Sequence, residues 1–395
     1  MGFLSGSASF ERFRVTEDPT GDFGDDHLAI LAKHQIGTSS SNLYEQPEFG
    51  FVAGGHIFDT DFDFEKNIVG EAMHFGIRMD SVQIPGPIKK AWMTMELAGI
   101  MHENQGKRPS KSQREEAKEA VEARCVAAAK EGSFKRMSET SVLWDAATDT
   151  LFVGSVSEKA NEACLGLMNK AFGLEFQRVT SGYLADEFAA DHERASALYE
   201  MAPTNFLANE AGANVVWWNG MNDNYDYLGN EFLLWLWRLW DSGVDTLELS
   251  DGSEVSGMFA RSLSLDCPHG EHGKETISSE SPVKLPEAVM AIRMGKLPRK
   301  SGLTLIRDEL QFDFTLQAET FAINAGRISQ LGDETLDSRD RLARLDSIRN
   351  GVQTLDLLYE AFCKLRIDKA WSREQKKITQ WLQIEELPVQ RRTAA

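Results

Sequence analysis

The chain has 395 residues, of which 42% are hydrophobic, and its formal net charge is −19 at pH 7. This length and apolar content allow a large core and predict a globular protein of two or three domains. No run approaches the roughly 18 consecutive apolar residues of a membrane-spanning helix, and the N-terminus lacks the order of residues typical of a signal peptide. The four cysteines stand singly along the sequence, which argues against a disulfide framework. We therefore expect a cytoplasmic protein without a membrane partner.

The negative charge is unevenly distributed. Residues 85–136 contain eleven Lys/Arg and seven Asp/Glu, so this segment carries +4 and the remainder carries −23. Such polarity confines attraction for a polyanion to certain surfaces of the molecule.

The first half of the chain predicts alternating strands and helices. "SASFERFRVTED" is typical of a strand, and "DDHLAILAKHQ" of a short helix that begins at Asp25 or Asp26. Apolar and polar residues alternate through "GEAMHFGIRMDSV", which predicts a half-buried strand. After a turn at Pro85 to Pro87, two helices form a hairpin, and a capping box of Ser112 with Glu115 begins the second.

A β-hairpin follows, with "TSVLWD" and "TLFVGSV" as strands on either side of "AATD". Ser155 and Glu158 then cap a helix that ends at Gly173. A β-hairpin that leads into a helix is the plainest unit in the sequence.

The second half begins with the aromatic-rich "VVWWNGMNDNYDYLGNEFLLWLWRLW" and two strand-like stretches, "DTLELSDG" and "VSGMFARSLSL". "PEAVMAIRMGKLPRKSG" predicts a helix with a basic exit, and "LTLIRDELQFDFTLQAETFAINAGRI" predicts paired strands. From Glu334 onward the chain is predicted to be helical, with an apolar seam from Leu345 to Phe362 that packs within the subunit. The tail "VQRRTAA" is predicted to be disordered.

These elements predict an α+β protein: a β/α centre with a projecting helical hairpin, a second α/β unit and C-terminal helices. The expected boundaries are residues 1–84 and 137–205 for the central domain, 85–136 for the hairpin, 206–333 for the second domain and 334–395 for the helical extension.

Basic residues of the hairpin segment form the first candidate site. Lys/Arg side chains displace condensed counterions from a phosphate backbone without any sequence code. We expect them to gather at one end of the hairpin, because the first helix begins near Lys89 and the second near Ser112. A solvated helix face is the alternative, since four acidic residues allow i,i+4 pairing along the helix: Glu115, Glu116, Glu119 and Glu122. The candidate contacts are Lys89, Lys90, Lys107, Arg108, Lys111, Arg114, Lys118, Lys135 and Arg136.

A second basic group lies in "RMGKLPRKSG", which no acid interrupts. Gly295, Pro298 and Gly302 predict a turn rather than a helix, so this backbone could approach a phosphate ridge. Cations at the C-terminus of a helix, where they suit its dipole, are the alternative. The candidate contacts are Arg293, Lys296, Arg299 and Lys300.

Other patterns in the sequence are better explained by a structural role than by ligand binding or catalysis. The aromatic block could stack bases, but its apolar run is typical of a core element. Cys267, His269 and His272 in "CPHGEHG" match no four-ligand zinc pattern, so we expect a loop without metal. The sequence contains no phosphate-binding loop, dinucleotide fingerprint or nucleophile elbow, and we expect no cofactor.

Three aspartates suggest an alternative function. Asp59, Asp61 and Asp63 in "HIFDTDFDFEK" alternate with phenylalanines, which predicts a strand with one acidic face. A metal-dependent exonuclease needs such carboxylates. An edge strand that uses charge to prevent unwanted pairing explains the pattern equally well.

Three stretches follow one another between residues 70 and 178: "GEAMHFGIRMDSVQIPGPIKKAW", the charged "KRPSKSQREEAKEAV", and "SFKRMSETSVLWDAATDTLFVGSVSEKANEACLGLMNKAFG". In this order they resemble the recombination-associated protein RdgC family. The opening strand and helix fit the same pattern, so about half of the chain is covered, as expected for a divergent and longer member.

The resemblance implies a homodimer, closed into a ring in the family, that encircles or coats double-stranded DNA without strong sequence preference and restrains a recombinase. We therefore expect a nucleoid-associated DNA-binding protein that acts in recombination and has no catalytic residues. A metal-dependent nuclease, or a protein-interaction module that acts only on a recombinase, are the alternatives.

Overall fold

The computed structural model describes residues 2–16, 21–38, 43–206, 224–267, 273–330 and 340–383. The predictions for Trp217, Trp218, His269 and His272, for the helix start at Glu334 and for the tail lie outside these residues.

Helices and antiparallel strands both contribute to the described residues, which confirms the α+β class. The strands are β1 (Ala8–Val15), β2 (Glu48–Val52), β3 (Ile68–Val69), β4 (Ala72–Val82), β5 (Lys135–Asp145), β6 (Thr150–Val153), β7 (Phe176–Arg178), β8 (Thr246–Glu248), β9 (Glu254–Asp266), β10 (Glu275–Ser279), β11 (Leu297–Arg307), β12 (Leu310–Gln317) and β13 (Ile323–Gln330). The helices are α1 (Asp25–Lys33), α2 (Phe64–Asn67), α3 (Gly86–Glu103), α4 (Lys111–Lys130), α5 (Glu158–Phe172), α6 (Ser181–Asp191), α7 (Ala195–Tyr199), α8 (Tyr227–Asp241), α9 (Pro286–Arg293), α10 (Arg341–Arg366) and α11 (Trp371–Gln383).

The chain folds into two compact units. The larger unit contains residues 1–16, 150–157 and 176–395, and the hairpin unit contains residues 17–149 and 158–175. These boundaries differ from those expected from the sequence. The N-terminal strand β1 pairs with β13, and this pairing assigns the first residues to the larger unit.

The sheet of the larger unit runs in the order β10-β9-β11-β12-β13-β1-β6, with β7 on β1 and β8 on β9. Helix α8 packs on β11, and most of its residues are buried, including Tyr227, Trp235 and Trp237. Within its described part, the aromatic block is therefore core rather than a base-stacking surface.

The C-terminal helices belong to the larger unit rather than to a separate extension. The seam residues Leu345 and Phe362 are buried within the chain, as predicted. The ring centroid of Phe362 lies 5.7 Å from that of Phe232 in α8, and the Tyr359 hydroxyl donates to the backbone oxygen of Ser181 at 2.8 Å.

The hairpin unit has a sheet in the order β2-β4-β5, with β3 added to β4. The α1 helix begins at Asp25, one of the two predicted starts, and α5 ends at Phe172 before Gly173 in the left-handed region (φ 75°). Phe51 and Phe75 are fully buried, and Trp144 packs between Phe23 and Phe172.

The part of the chain that the structure describes contains no helix long and apolar enough to cross a membrane.

Candidate nucleic-acid interface

Helices α3 and α4 form the predicted hairpin. Helix α4 buries Ala117, Val121, Cys125 and Ala129, which recur every four residues and so lie along one helix face. The half-buried Trp92 of α3 is among the side chains that pack against this face. The small residues of α4 let the two helices approach closely.

The tip of the hairpin, residues 104–114, has a fixed conformation. Ser110 accepts a hydrogen bond from the backbone N–H of Gln113, whose side chain accepts from the N–H of Ser110. The side-chain amides of Gln113 and Asn104 also bond to each other in both directions, at 2.9 and 3.2 Å. Gln105 and Gly106 take positive φ angles of 52° and 84°, which turn the chain between the helices. The capping box is thus Ser110 with Gln113, and the predicted box of Ser112 with Glu115 is wrong.

Four cations lie at this tip without a compensating acid. Lys107, Arg108, Lys111 and Arg114 are all exposed, and their side chains make no hydrogen bond or ion pair to any described residue. Residues 104–114 contain these four basic residues and no Asp or Glu. The N-terminus of α4, the positive end of its dipole, also lies here.

The acidic side chains of the hairpin lie farther down α4. Residues 115–131 contain five Asp/Glu and three Lys/Arg, so this stretch carries −2. Lys118, one of the predicted contacts, pairs with Glu115 at 2.8 Å. The predicted alternative of a solvated, self-paired face therefore describes this part of α4 better than it describes the tip.

Lys89 and Lys90 lie at the other end of the hairpin, so the expectation that they join the tip cations is wrong. Helix α3 runs from Gly86 to Glu103, and its rise of about 1.5 Å per residue separates Lys89 from the tip by roughly 20 Å. The Lys89 ammonium donates to the Tyr44 hydroxyl at 2.9 Å, and this hydrogen bond raises the pKa of Lys89. Lys90 is exposed.

Lys135 and Arg136 begin β5, at the base of the hairpin. Both are exposed, but the Lys135 ammonium pairs with Asp80 at 2.9 Å. Asp80 also receives two hydrogen bonds of 2.6 Å from Arg78. Burial alone would raise the pKa of Asp80, yet the bonds from Arg78 and Lys135 lower it. Lys135 is therefore part of a structural ion-pair network.

The second basic group forms no turn at residues 297–302. Gly295 follows α9 with φ 87°, and β11 begins at Leu297 and runs through the segment as a strand paired with β9 and β12. The pairing with β9 shifts register between Pro298 and Lys300, and such a bulge tolerates proline. Gly302 is needed because an added Cβ would lie 1.9 Å from the Ala260 oxygen. The predicted turn is wrong: Pro298 lies at a bulge of the strand, and Gly302 allows β11 to approach β9 closely.

Two of the four charges of this basic group, those of Lys296 and Arg299, are paired with acids from elsewhere in the larger unit. Lys296 is buried and its ammonium lies 2.5 Å from Glu275. Arg299 pairs with Glu319 at 2.8 Å and with Asp266 at 3.5 Å. Arg293 and Lys300 are half-buried. The ion pairs of Lys296 and Arg299 disfavour these two side chains as phosphate contacts.

The three aspartates of the nuclease alternative lie in a loop before α2 and not on a strand. The Lys66 ammonium donates to both Asp59 oxygens, at 2.9 and 3.0 Å. Burial alone would raise the pKa of Asp59, but the hydrogen bonds from Lys66 and from backbone N–H groups lower it. Asp63 caps α2 through the N–H of Lys66. The described residues contain no group of three His, Cys, Asp or Glu suited to a metal ion.

The sequence pattern did not predict the paired amide bonds between Asn104 and Gln113, called here the Asn104–Gln113 clamp. The capping box beside it had a sequence signal, because Ser110 and Gln113 have the spacing of a capping box just after Pro109. Two overlapping boxes fit the same stretch, and the long-range bond to Asn104 distinguishes them.

Comparison of the chain with protein-family models and with curated proteins gave no match. The resemblance of residues 70–178 to the RdgC family therefore stays a prediction.

Proposed function

We propose that this protein binds double-stranded DNA through the tip of the α3–α4 hairpin, mainly by phosphate contacts and without strong sequence preference. The observation that carries the proposal is the group of four exposed cations at residues 104–114, unpaired among the described residues, in a chain of net charge −19. The remainder of the chain carries a net negative charge that disfavours a polyanion, which supports the tip as the contact surface.

The tip is suited to phosphates because its backbone is already ordered. The Ser110–Gln113 box and the Asn104–Gln113 clamp fix the chain between the two helices. Binding then requires ordering only the Lys and Arg side chains, whose charges release condensed counterions from the duplex.

The tip favours a duplex over a single strand. Proteins that bind single strands stack bases on aromatic side chains, and residues 104–114 contain no Phe, Tyr, Trp or His. Charge-only contacts follow the phosphate ridges of a duplex and carry no base identity.

A role in recombination rests on the resemblance of residues 70–178 to the RdgC family. A protein that covers duplex DNA limits the access of a recombinase to that duplex. We propose restraint of recombinase activity on this basis, with association to the nucleoid.

The test is the salt dependence of duplex binding by the full chain and by the variant Lys107→Ala/Arg108→Ala/Lys111→Ala. Each neutralised phosphate contributes a slope of about 0.9 in log affinity against log salt, so the triple variant should lose about 2 to 3 units of slope. Its affinity should fall equally for duplexes of different sequence. Strand exchange by a recombinase should be slowed by the parent protein and not by this variant.

A matched control removes the same charge elsewhere in the hairpin unit. Lys33, Lys159 and Lys170 are exposed on α1 and α5, so their triple Ala variant has the same net charge as the tip variant. It should keep the parent slope. Equal slopes for the parent and the tip variant, or equal losses in the two triple variants, would show that the tip is not the contact surface.

A further inference from the structure

One short motif occurs at two places in the sequence. Two basic residues, one further residue and a serine follow one another in "KRPS" (residues 107–110, the tip motif) and in "KRMS" (residues 135–138, the strand motif). Cations just before a hydroxyl are a charge pattern by which protein kinases select their substrates. The hydroxyl and both cations must reach the kinase together, so the segment has to be exposed and its side chains free.

The tip motif meets these requirements. Residues 107–110 belong to no helix or strand, and Ser110 has extended backbone angles (φ −66°, ψ 171°). Lys107, Arg108 and Ser110 are exposed, and neither cation has a partner among the described residues. The Ser110 hydroxyl accepts a 3.3 Å hydrogen bond from the Gln113 N–H, but its own hydrogen has no acceptor in the described part of the chain. The hydroxyl is therefore available for reaction.

The strand motif does not meet them. Its four residues all pair with β4, from Val82↔Lys135 to Met79↔Ser138. The Lys135 ammonium is held by Asp80 at 2.9 Å, so one of the two cations is already engaged. The same motif is therefore built into a sheet at one place and free at the other.

We propose that Ser110 is a phosphorylation site for a protein kinase that selects basic residues before the acceptor, and that phosphate at this position ends duplex binding by the tip. The Ser110 oxygen attacks the γ-phosphorus of ATP, the bond from that phosphorus to ADP breaks, and the serine proton passes to a carboxylate base of the kinase. The effect on duplex binding rests on the proposed function of the tip. The phosphorylation itself does not.

The surroundings of Ser110 suit an added phosphate. Phosphoserine carries about −1.5 to −2 charges near pH 7, so the tip charge would fall from +4 to about +2. The phosphate would stand at the N-cap of α4, where its oxygens can accept from the Gln113 N–H in place of the hydroxyl. Tip cations that pair with this phosphate are no longer available to a duplex.

The first measurement uses no DNA. The full chain is incubated with ATP, Mg²⁺ and the catalytic subunit of cyclic AMP-dependent protein kinase, which selects basic residues at these two positions, and intact mass reports the uptake of phosphate. The parent should take up one phosphate per chain. Ser110→Asn should lose this uptake while it keeps the charge and the cap of α4, because Asn caps a helix as well as Ser does. Ser138→Ala is the matched control, since it removes the hydroxyl of the strand motif, and its uptake should equal that of the parent.

The second measurement compares the parent before and after phosphorylation. About two tip charges are neutralised, so the slope of log affinity for a duplex against log salt should fall by about 2 units, and the affinity at about 0.1 M salt by at least about tenfold. Treatment with a phosphatase should restore both. Amide hydrogen exchange at Gln113 should slow in the phosphorylated chain, because an anion at the N-terminus stabilises the first turn of α4.

Three results would overturn the phosphorylation site: no uptake by the parent, equal uptake by the parent and Ser110→Asn, or uptake lost in Ser138→Ala instead. Unchanged affinity and slope in the phosphorylated parent would overturn its effect on duplex binding. If the unmodified parent bound no duplex, the proposed function would be wrong and the effect of phosphate on binding would be wrong with it. Uptake and hydrogen exchange are measured without DNA, so this failure is distinct from a failure of the phosphorylation site.

Discussion

Residues 104–114 and residues 293–300 each contain four basic residues and no acid, yet the structure uses them in opposite ways. The first group lies on an exposed hairpin tip without ion-pair partners among the described residues. The second lies around the start of a central strand, where Lys296 and Arg299 meet acids from β9, β10 and the β12–β13 turn. Local charge in a sequence therefore does not identify a binding surface. What matters is whether the fold brings distant carboxylates to the same place.

Lys135 sharpens this comparison, because it is exposed like the tip cations but paired like the strand cations. Replacing its partner, Asp80→Asn, should lower the free energy of unfolding by about 3 kcal/mol, since the buried Arg78 loses its carboxylate. Urea unfolding of the parent and the variant measures the loss. A change below about 1 kcal/mol would mean that Arg78 finds another partner.

The same network predicts a response to acid. The folded pKa of Asp80 is lowered, so its contribution is fully present above the unfolded value near pH 4 and is lost as pH falls through the folded pKa. Stability of the parent should therefore fall over this acidic range more steeply than stability of Asp80→Asn. Urea midpoints at pH 7, 5, 4 and 3 measure the difference, and parallel curves would contradict it.

The strand group gives the next largest effect. Arg299→Ala removes the cation from Glu319, which is 10% exposed and would keep only the amide of Asn230 among its observed partners. The expected loss is about 2 kcal/mol, because a mostly buried carboxylate is left without its charge partner. Duplex affinity of the folded variant should equal that of the parent. If Arg299→Ala bound duplex DNA more weakly without being less stable, Arg299 would be a DNA contact.

Periodicity was sufficient to predict many of the elements. Some patterns depend only on neighbours in sequence, and each of these is present in the structure: the apolar–polar alternation of β4, the apolar seam of α10, and the two helices of the hairpin with the turn between them. The positions of the candidate cations were only partly predicted, because the place of Lys89 depends on the direction of α3 and the ion pairs of Arg299 depend on the pairing of β11. Gly302 looked like a turn residue, but it is required by the close approach of Ala260, a contact that no local pattern reveals.

The rigidity of the tip yields a smaller prediction. Ser110→Ala removes the acceptor for the Gln113 N–H and should cost about 1 kcal/mol at this helix end. Ser112→Ala is the control, because Ser112 makes only a 3.4 Å bond to Glu116 and caps no helix. Amide hydrogen exchange at Gln113 should accelerate about fivefold in the first variant and stay unchanged in the second. Equal acceleration of exchange in the two variants would indicate that Ser112 also caps α4.

The smallest effect is expected for the stability of Lys107→Ala/Arg108→Ala/Lys111→Ala. These side chains are exposed and make no ion pair to the described residues, so removing them should change the free energy of unfolding by no more than about 0.5 kcal/mol. Like charges repel within a screening length of about 10 Å at 0.1 M salt, so any change at low salt should be stabilising. It should vanish at high salt, where that repulsion is screened. Urea unfolding at about 20 mM and about 500 mM salt measures both effects, and a loss above about 1 kcal/mol would show that the tip cations hold the hairpin together.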